Sequence, residues 1–190
     1  MQKFREEMTA FFSELYVEER KKLVFGEGDE KARMVLIGEA PGEQEALQGR
    51  PFVGKAGKNL DEFLELSGLD RRALYITNTV KFRPTKISPA GRVVNRPPKK
   101  EEIGLFVPWL VKELRLIRPE IVVTLGNVSL KALMGGDKTI GECHGRWFEW
   151  EGTRVYPLYH PASVIYNPSL KEVYRADVIR LGEEVRKDRD

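Results

Sequence analysis

Met34-Val35-Leu36-Ile37-Gly38-Glu39-Ala40-Pro41-Gly42 decides how this chain is read. Four consecutive apolar residues ending in glycine describe a buried strand feeding a tight turn. In an open α/β sheet, ligands bind just beyond the carboxyl ends of such strands. Polar groups at that point need a chemical reason, although a glycine–proline turn by itself also punctuates many purely structural loops.

Working outward, strand signals recur at Leu74–Val80, Ile121–Leu125 and Val155–Tyr159. Helical patterns at Asn59–Ser67, Glu101–Ile117, Val128–Leu133 and Leu170–Lys187 alternate with them. That order predicts one α/β domain over residues 1–190, with a central, mostly parallel four-stranded sheet flanked by helices. Phe4, Met8, Phe11, Phe12 and Leu15 fall at helical spacing and predict an amphipathic helix within residues 1–22, closed by the charged run Glu18-Glu19-Arg20-Lys21-Lys22. The α/β core then takes residues 23–187. Trp147-Phe148-Glu149-Trp150 and Arg154-Val155-Tyr156 around Gly152 predict a hairpin near a sheet edge. Residues 81–98, broken by Pro84, Pro89, Gly91, Pro97 and Pro98, predict one long irregular connection, a kind of loop that is usually functional or disordered.

Composition bounds the function. Cys143 is the only cysteine, so the chain cannot form an internal disulfide or assemble a four-cysteine metal or iron–sulfur site. His144 adjoins it with no further ligand nearby, and no metal is expected there. No stretch approaches the ~20 apolar residues that span a bilayer, and the expectation is a cytoplasmic monomer without a membrane partner. A net charge of +3 does not announce a nucleic-acid partner, yet Lys81, Arg83, Lys86, Arg92, Arg96, Lys99 and Lys100 follow one another without a single Asp or Glu.

Several motifs occur in a fixed order: Leu23-Val24-Phe25-Gly26-Glu27-Gly28, Gly38–Gly42, Gly49-Arg50-Pro51-Phe52-Val53-Gly54-Lys55-Ala56-Gly57, Ile76-Thr77-Asn78, Val80-Lys81, Asn95-Arg96 and His160-Pro161-Ala162. Over about residues 21–180 this series resembles the thermophile-type, family-4 uracil-DNA glycosylases. The resemblance implies the glycosylase α/β/α fold, uracil-containing DNA as partner, and hydrolysis of the N-glycosidic bond to leave an abasic site. It also implies a [4Fe–4S] cluster held by four cysteines. The positions aligned with those cysteines are Phe11, Glu14, Phe82 and about Leu105. No iron–sulfur cofactor is therefore expected, and burial of apolar side chains between the N-terminal helix, the Lys81–Pro84 segment and the long helix would take its place.

The resemblance also implies roles. Phe52 stacks on an everted base and Asn78 reads its edge, a carboxamide matching O4 and N3–H of uracil where cytosine presents the reverse pattern. His160 donates to O2 and steadies the leaving anion, while Glu39 aligns or activates water. Ala40 borders the base, at the position following Glu39 where another glycosylase branch has its catalytic aspartate. Gly42, Glu45 and Asn95 are accessory candidates, Glu45 as a guard on the C5 edge. Lys81, Arg83, Lys86, Arg92 and Arg96 would meet phosphates. Ser163, Val164, Ile165 and Tyr166 form the loop after His160, with the last three as the wedge that fills the gap left in the stack. Competing explanations stand beside these: a structural core Phe for position 52, a turn or cap for Asn78, a solvated glutamate for Glu45, and an anchor to the core for the wedge residues. A glycosylase for hypoxanthine or xanthine, or a DNA-binding protein without turnover, are the alternatives to uracil excision.

Overall fold

The computed structural model describes residues 1–16 and 21–188. The first helix, α1 (Gln2–Leu15), buries Phe4, Met8 and Phe12, a strict four-residue repeat that makes a narrow stripe. Phe11 and Leu15 sit beside that stripe and are exposed, a correction to the wider face that the spacing predicts. Glu18, Glu19 and Arg20 of the expected closing run lie outside the described residues.

The sheet is assembled from β1 (Glu27–Gly28), β2 (Met34–Gly38), β3 (Tyr75–Asn78), β6 (Ile121–Leu125), β7 (Phe148–Trp150) and β8 (Thr153–Leu158). Its order is β1-β3-β2-β6-β8-β7. The four central strands are parallel and are the four expected, while the short β1 and β7 add antiparallel edges. The β7–β8 pair is the hairpin foreseen around Gly152.

Parallel strands are buried on both faces, which is why β2 reads as an unbroken apolar run. Met34 and Leu36 point to the face covered by α3 (Lys55–Ser67) and α8 (Lys171–Lys187), where they meet Leu60, Phe63, Leu64, Tyr174, Val178 and Leu181. Val35 and Ile37 point to the other face, against Leu110, Leu114 and Ile117 of α4 (Lys100–Ile117) and Leu133 of α5 (Asn127–Met134). The remaining short helices, α2 (Glu43–Gln48), α6 (Ile140–Cys143) and α7 (Pro161–Tyr166), sit in connections.

Residues 81–98 are more regular than their prolines suggest. Thr85–Ile87 (β4) and Val93–Asn95 (β5) form a two-stranded hairpin outside the main sheet.

A third apolar cluster joins α1 to α4 through rings. Phe12 stacks on Phe106 with centroids 4.2 Å apart, Phe82 meets Phe106 at 5.6 Å, and Phe4, Tyr16 and Trp109 close around them. Phe106 has no exposed surface and loses several ring contacts if truncated, so Phe106→Ala should destabilise the fold by about 3–5 kcal/mol. A urea titration should show this as a lower midpoint with unchanged slope.

Candidate active site

The chain leaves β2 toward β3 on one side and later reaches β6 on the other, so the carboxyl end of β2 is a topological switch point. Gly38 and Glu39 lie at that end, Asn78 ends β3, and His160 follows β8. A cavity of about 460 Å³ opens there, lined among others by Ala40, Gly42, Glu45, Phe52, Asn78, Asn95, His160, Ile165 and Tyr166. Residues as far apart in sequence as Ala40 and Tyr166 thus share one chamber.

Gly38 permits their approach. A Cβ at this position would collide with Asn78 Oδ1 and fall 2.6 Å from Phe52 Cζ. Phe52 itself adopts a left-handed backbone, φ 52°, which costs a side-chain-bearing residue on the order of 1–3 kcal/mol. The surroundings over-determine it. Arg71, held at 2.6 Å by Asp61, donates Nη2–H bonds to the carbonyls of Pro51 (3.2 Å) and Phe52 (3.0 Å). From the other side Glu45 Oε1 accepts the backbone N–H groups of Val53 (3.0 Å) and Gly54 (2.8 Å). The ring is buried in the core cluster and also borders the cavity.

His160 caps α7. Its Nδ1 accepts the Ala162 N–H at 3.1 Å, and Pro161 occupies the first helical position, where no N–H is needed. Burial lowers the His160 pKa to about 4, against an opposing pull from Glu45. The ring is therefore neutral at pH 7, and with Nδ1 occupied as acceptor its one proton resides on Nε2. Its ring centroid lies 5.8 Å from that of Phe52, with a 30° tilt. Glu39 is half-buried one residue before the cavity wall, and burial raises its pKa above the ordinary carboxylate value. Asn95 lines the cavity while its Oδ1 accepts from Arg83 Nε at 2.6 Å.

Two expected DNA contacts are overturned. Lys81 is wholly buried: its ammonium donates to Thr77 Oγ1 (2.6 Å), the Asn78 carbonyl (2.7 Å) and Glu113 Oε2 (2.6 Å), and cannot reach a phosphate. Val164 is packed into the core beneath α7 rather than serving as a wedge. Arg83 pairs with Glu43 at 2.7 Å, and Arg96 makes a bidentate pair with Glu102, both bracing the segment. Ser163 is partly buried and its N–H bonds to the His160 carbonyl. Lys86, Arg92, Ile165 and Tyr166 remain exposed.

The sequence reading assigned no role to Lys55, an exposed cation at the cavity on the first turn of α3, or to Arg71 and Glu113. Lys55 lay within a quoted motif, and Glu113 could have been noticed as an acid on the apolar face of α4. Nothing in the sequence links Arg71 to a loop some twenty residues earlier.

A family model described as the uracil DNA glycosylase superfamily matches residues 25–180, and the chain belongs to that superfamily. It is 40% identical over 173 residues to a type-4 uracil-DNA glycosylase of Saccharolobus solfataricus, covering 86% of this chain and 76% of that one. It is 35% identical to a type-4 uracil-DNA glycosylase of Thermotoga maritima, covering 89% and 86%. The crystal structure of wild-type SMUG2 from Pedobacter heparinus superposes with a TM-score of 0.59 at 17% identity, over 98% of this chain and 85% of the other, a likeness of fold.

Gly38→Ala should fold with reduced stability and lose most site function, because either Asn78 or Phe52 must move. Comparing thermal midpoint with excision rate would show the rate falling by far the larger factor. For His160, the sign follows from its depressed pKa. The unfolded chain takes up the proton near pH 6.5, so stability is full above that value and declines as pH falls toward about 4. Chemical denaturation at several pH values should show His160→Gln losing less stability than the wild type across this window.

Proposed function

We propose that this protein removes uracil from DNA by hydrolysing the N-glycosidic bond and leaving an abasic site. The observation that carries the reading is the convergence of the Phe52 ring, the Asn78 carboxamide and the Nε2–H of His160 on one cavity. An everted uracil would lie against Phe52 and exchange hydrogen bonds with Asn78, recovering the few kcal/mol lost on leaving the stack. As the bond to the sugar breaks, negative charge gathers on the base and positive charge on the sugar. A neutral donor aimed at O2 stabilises the first, and Glu39 is the carboxylate available to align water and offset the second.

The reading extends to the surroundings. Lys55, Lys86 and Arg92 are the exposed cations available to phosphates, and Ile165 and Tyr166 replace the wider wedge. The protein acts without an iron–sulfur cluster. Where the resembled family places four thiolates, this chain has one cysteine in all, and Cys143 packs elsewhere with Leu130 and Ile140. The Phe12, Phe82 and Phe106 rings occupy the junction instead. Action as a cytoplasmic monomer belongs to the same reading; the lone, unpaired cysteine fits a reducing compartment.

The test is a glycosylase assay on single strands and on U·G and U·A duplexes, with hypoxanthine and xanthine substrates alongside, each followed by alkaline cleavage. Uracil should be released and the others should not. Asn78→Ala and His160→Ala should each lower the single-turnover rate by roughly 10²–10³-fold, the effect of removing one preorganised hydrogen bond to a developing anion. Wild-type rates in both variants would remove their assignments.

A further inference from the structure

The chemistry of the cavity leaves the β4–β5 hairpin unexplained. Among the described residues its strands pair only with each other, in the register Thr85↔Asn95, Lys86↔Val94 and Ile87↔Val93. An isolated two-stranded hairpin is marginal in water, and this one is fastened at both ends. At the tip, Ser88 N–H donates to Arg92 O (2.8 Å), Gly91 N–H to Ser88 O (2.9 Å), and Arg92 N–H to Ser88 Oγ (3.1 Å). At the base, the Arg96 backbone N–H donates to Pro84 O and its Nε to Thr85 O, while its guanidinium grips Glu102 on α4.

Side chains alternate along a strand, so Thr85, Ile87, Val93 and Asn95 share one face. Asn95 on that face lines the cavity. Two residues outward, roughly 7 Å along the strand, stand Ile87 and Val93 directly opposite one another, 67% and 54% exposed. Among the described residues neither Ile87 nor Val93 belongs to, or packs against, any of the apolar core clusters.

We infer that the Ile87–Val93 pair is a second DNA-contacting element, lying against the sugars and base edges of the nucleotides next to the everted one. It complements Ile165 and Tyr166, which reach the same cavity from α7 and are 43% and 86% exposed. The inference rests on DNA being the substrate. Two observations favour a polyanion as occupant. The pair is continuous with the cavity through Asn95. The hairpin that carries it also holds two cations, Lys86 on the opposite face beside Val94 and Arg92 just before Val93, both exposed and without an ion pair among the described residues, in a window from Lys81 to Lys100 that contains no acid.

The experiment measures binding to a short duplex containing a tetrahydrofuran abasic-site analogue, by fluorescence anisotropy over a range of salt concentrations. Ile87→Ser/Val93→Ser should bind roughly tenfold more weakly with an unchanged slope of log K against log salt, because an apolar contact releases no counterions. Lys86→Gln/Arg92→Gln should flatten that slope by roughly two. The shape-preserving swap Ile87→Val/Val93→Ile should restore wild-type affinity, and thermal melting should show all three folded. Wild-type affinity in the serine variant, a slope change like that of the charge variant, or failure of the swap to rescue would each overturn the inference. A wild-type protein that binds this duplex but excises no uracil would sink the proposed activity while leaving the hairpin comparison decisive. One that binds no DNA would sink both.

Discussion

The site depends on the absence of a side chain at Gly38. β2 and β3 are adjacent parallel strands, and Gly38 stands in register with Asn78 across the ladder, where neighbouring strands are only about 4.8 Å apart. The Phe52 ring reaches into the same space from a loop that could have gone elsewhere. Because the vacancy is shared, the two groups that would face a base are fixed relative to each other by backbone geometry rather than by long side chains. Positioning of this kind leaves little to reorganise when a ligand arrives.

A buried ion pair secures the far end of the arrangement. Lys81 and Glu113 have no exposed surface, and Tyr75 (2.9 Å) and Thr77 add hydroxyl donors to the carboxylate. Removing both charges from water is costly, and such pairs seldom add stability over apolar packing, though breaking one half typically costs 3–5 kcal/mol. What this pair does visibly is bond the carbonyl of Asn78 and tie the end of β3 to α4. The same helix carries Phe106 and Trp109 into the aromatic cluster with α1. The ring cluster is thus one helix away from Asn78.

Much of this was legible in the chain because parallel strands and their crossovers leave strong periodic signals. β2, β3, β6 and β8, and the helices covering them, emerge from apolar runs within a few residues of their true ends. The motifs likewise led to Phe52, Asn78 and His160 as neighbours. What the sequence concealed was direction. A cationic window shows seven positive residues but not that Lys81 turns inward to a glutamate 32 positions later, or that Arg83 and Arg96 are held by Glu43 and Glu102. Val164, Ile165 and Tyr166 look alike in a list of apolar residues, and only the helical turn of α7 sends the first into the core and the third into solvent. Prolines obscured the hairpin, since they lie at its tip and base, where they break no ladder bond.

The electrostatics of the chamber follow from the same burial that shapes it. Low dielectric penalises charge on both groups, lowering the His160 pKa to about 4 and raising that of Glu39 above the ordinary carboxylate value. A cationic imidazole would bind an anion more strongly, yet it would also hold the product. A neutral Nε2–H instead interacts modestly with the ground state and more strongly as charge develops on the base, the difference that accelerates a reaction. The donor's direction is set before any ligand enters, because the Ala162 N–H occupies Nδ1 and leaves the proton of the neutral ring to Nε2. Burial thus keeps the ring uncharged and the helix cap fixes which nitrogen carries its proton, two separate effects on one side chain.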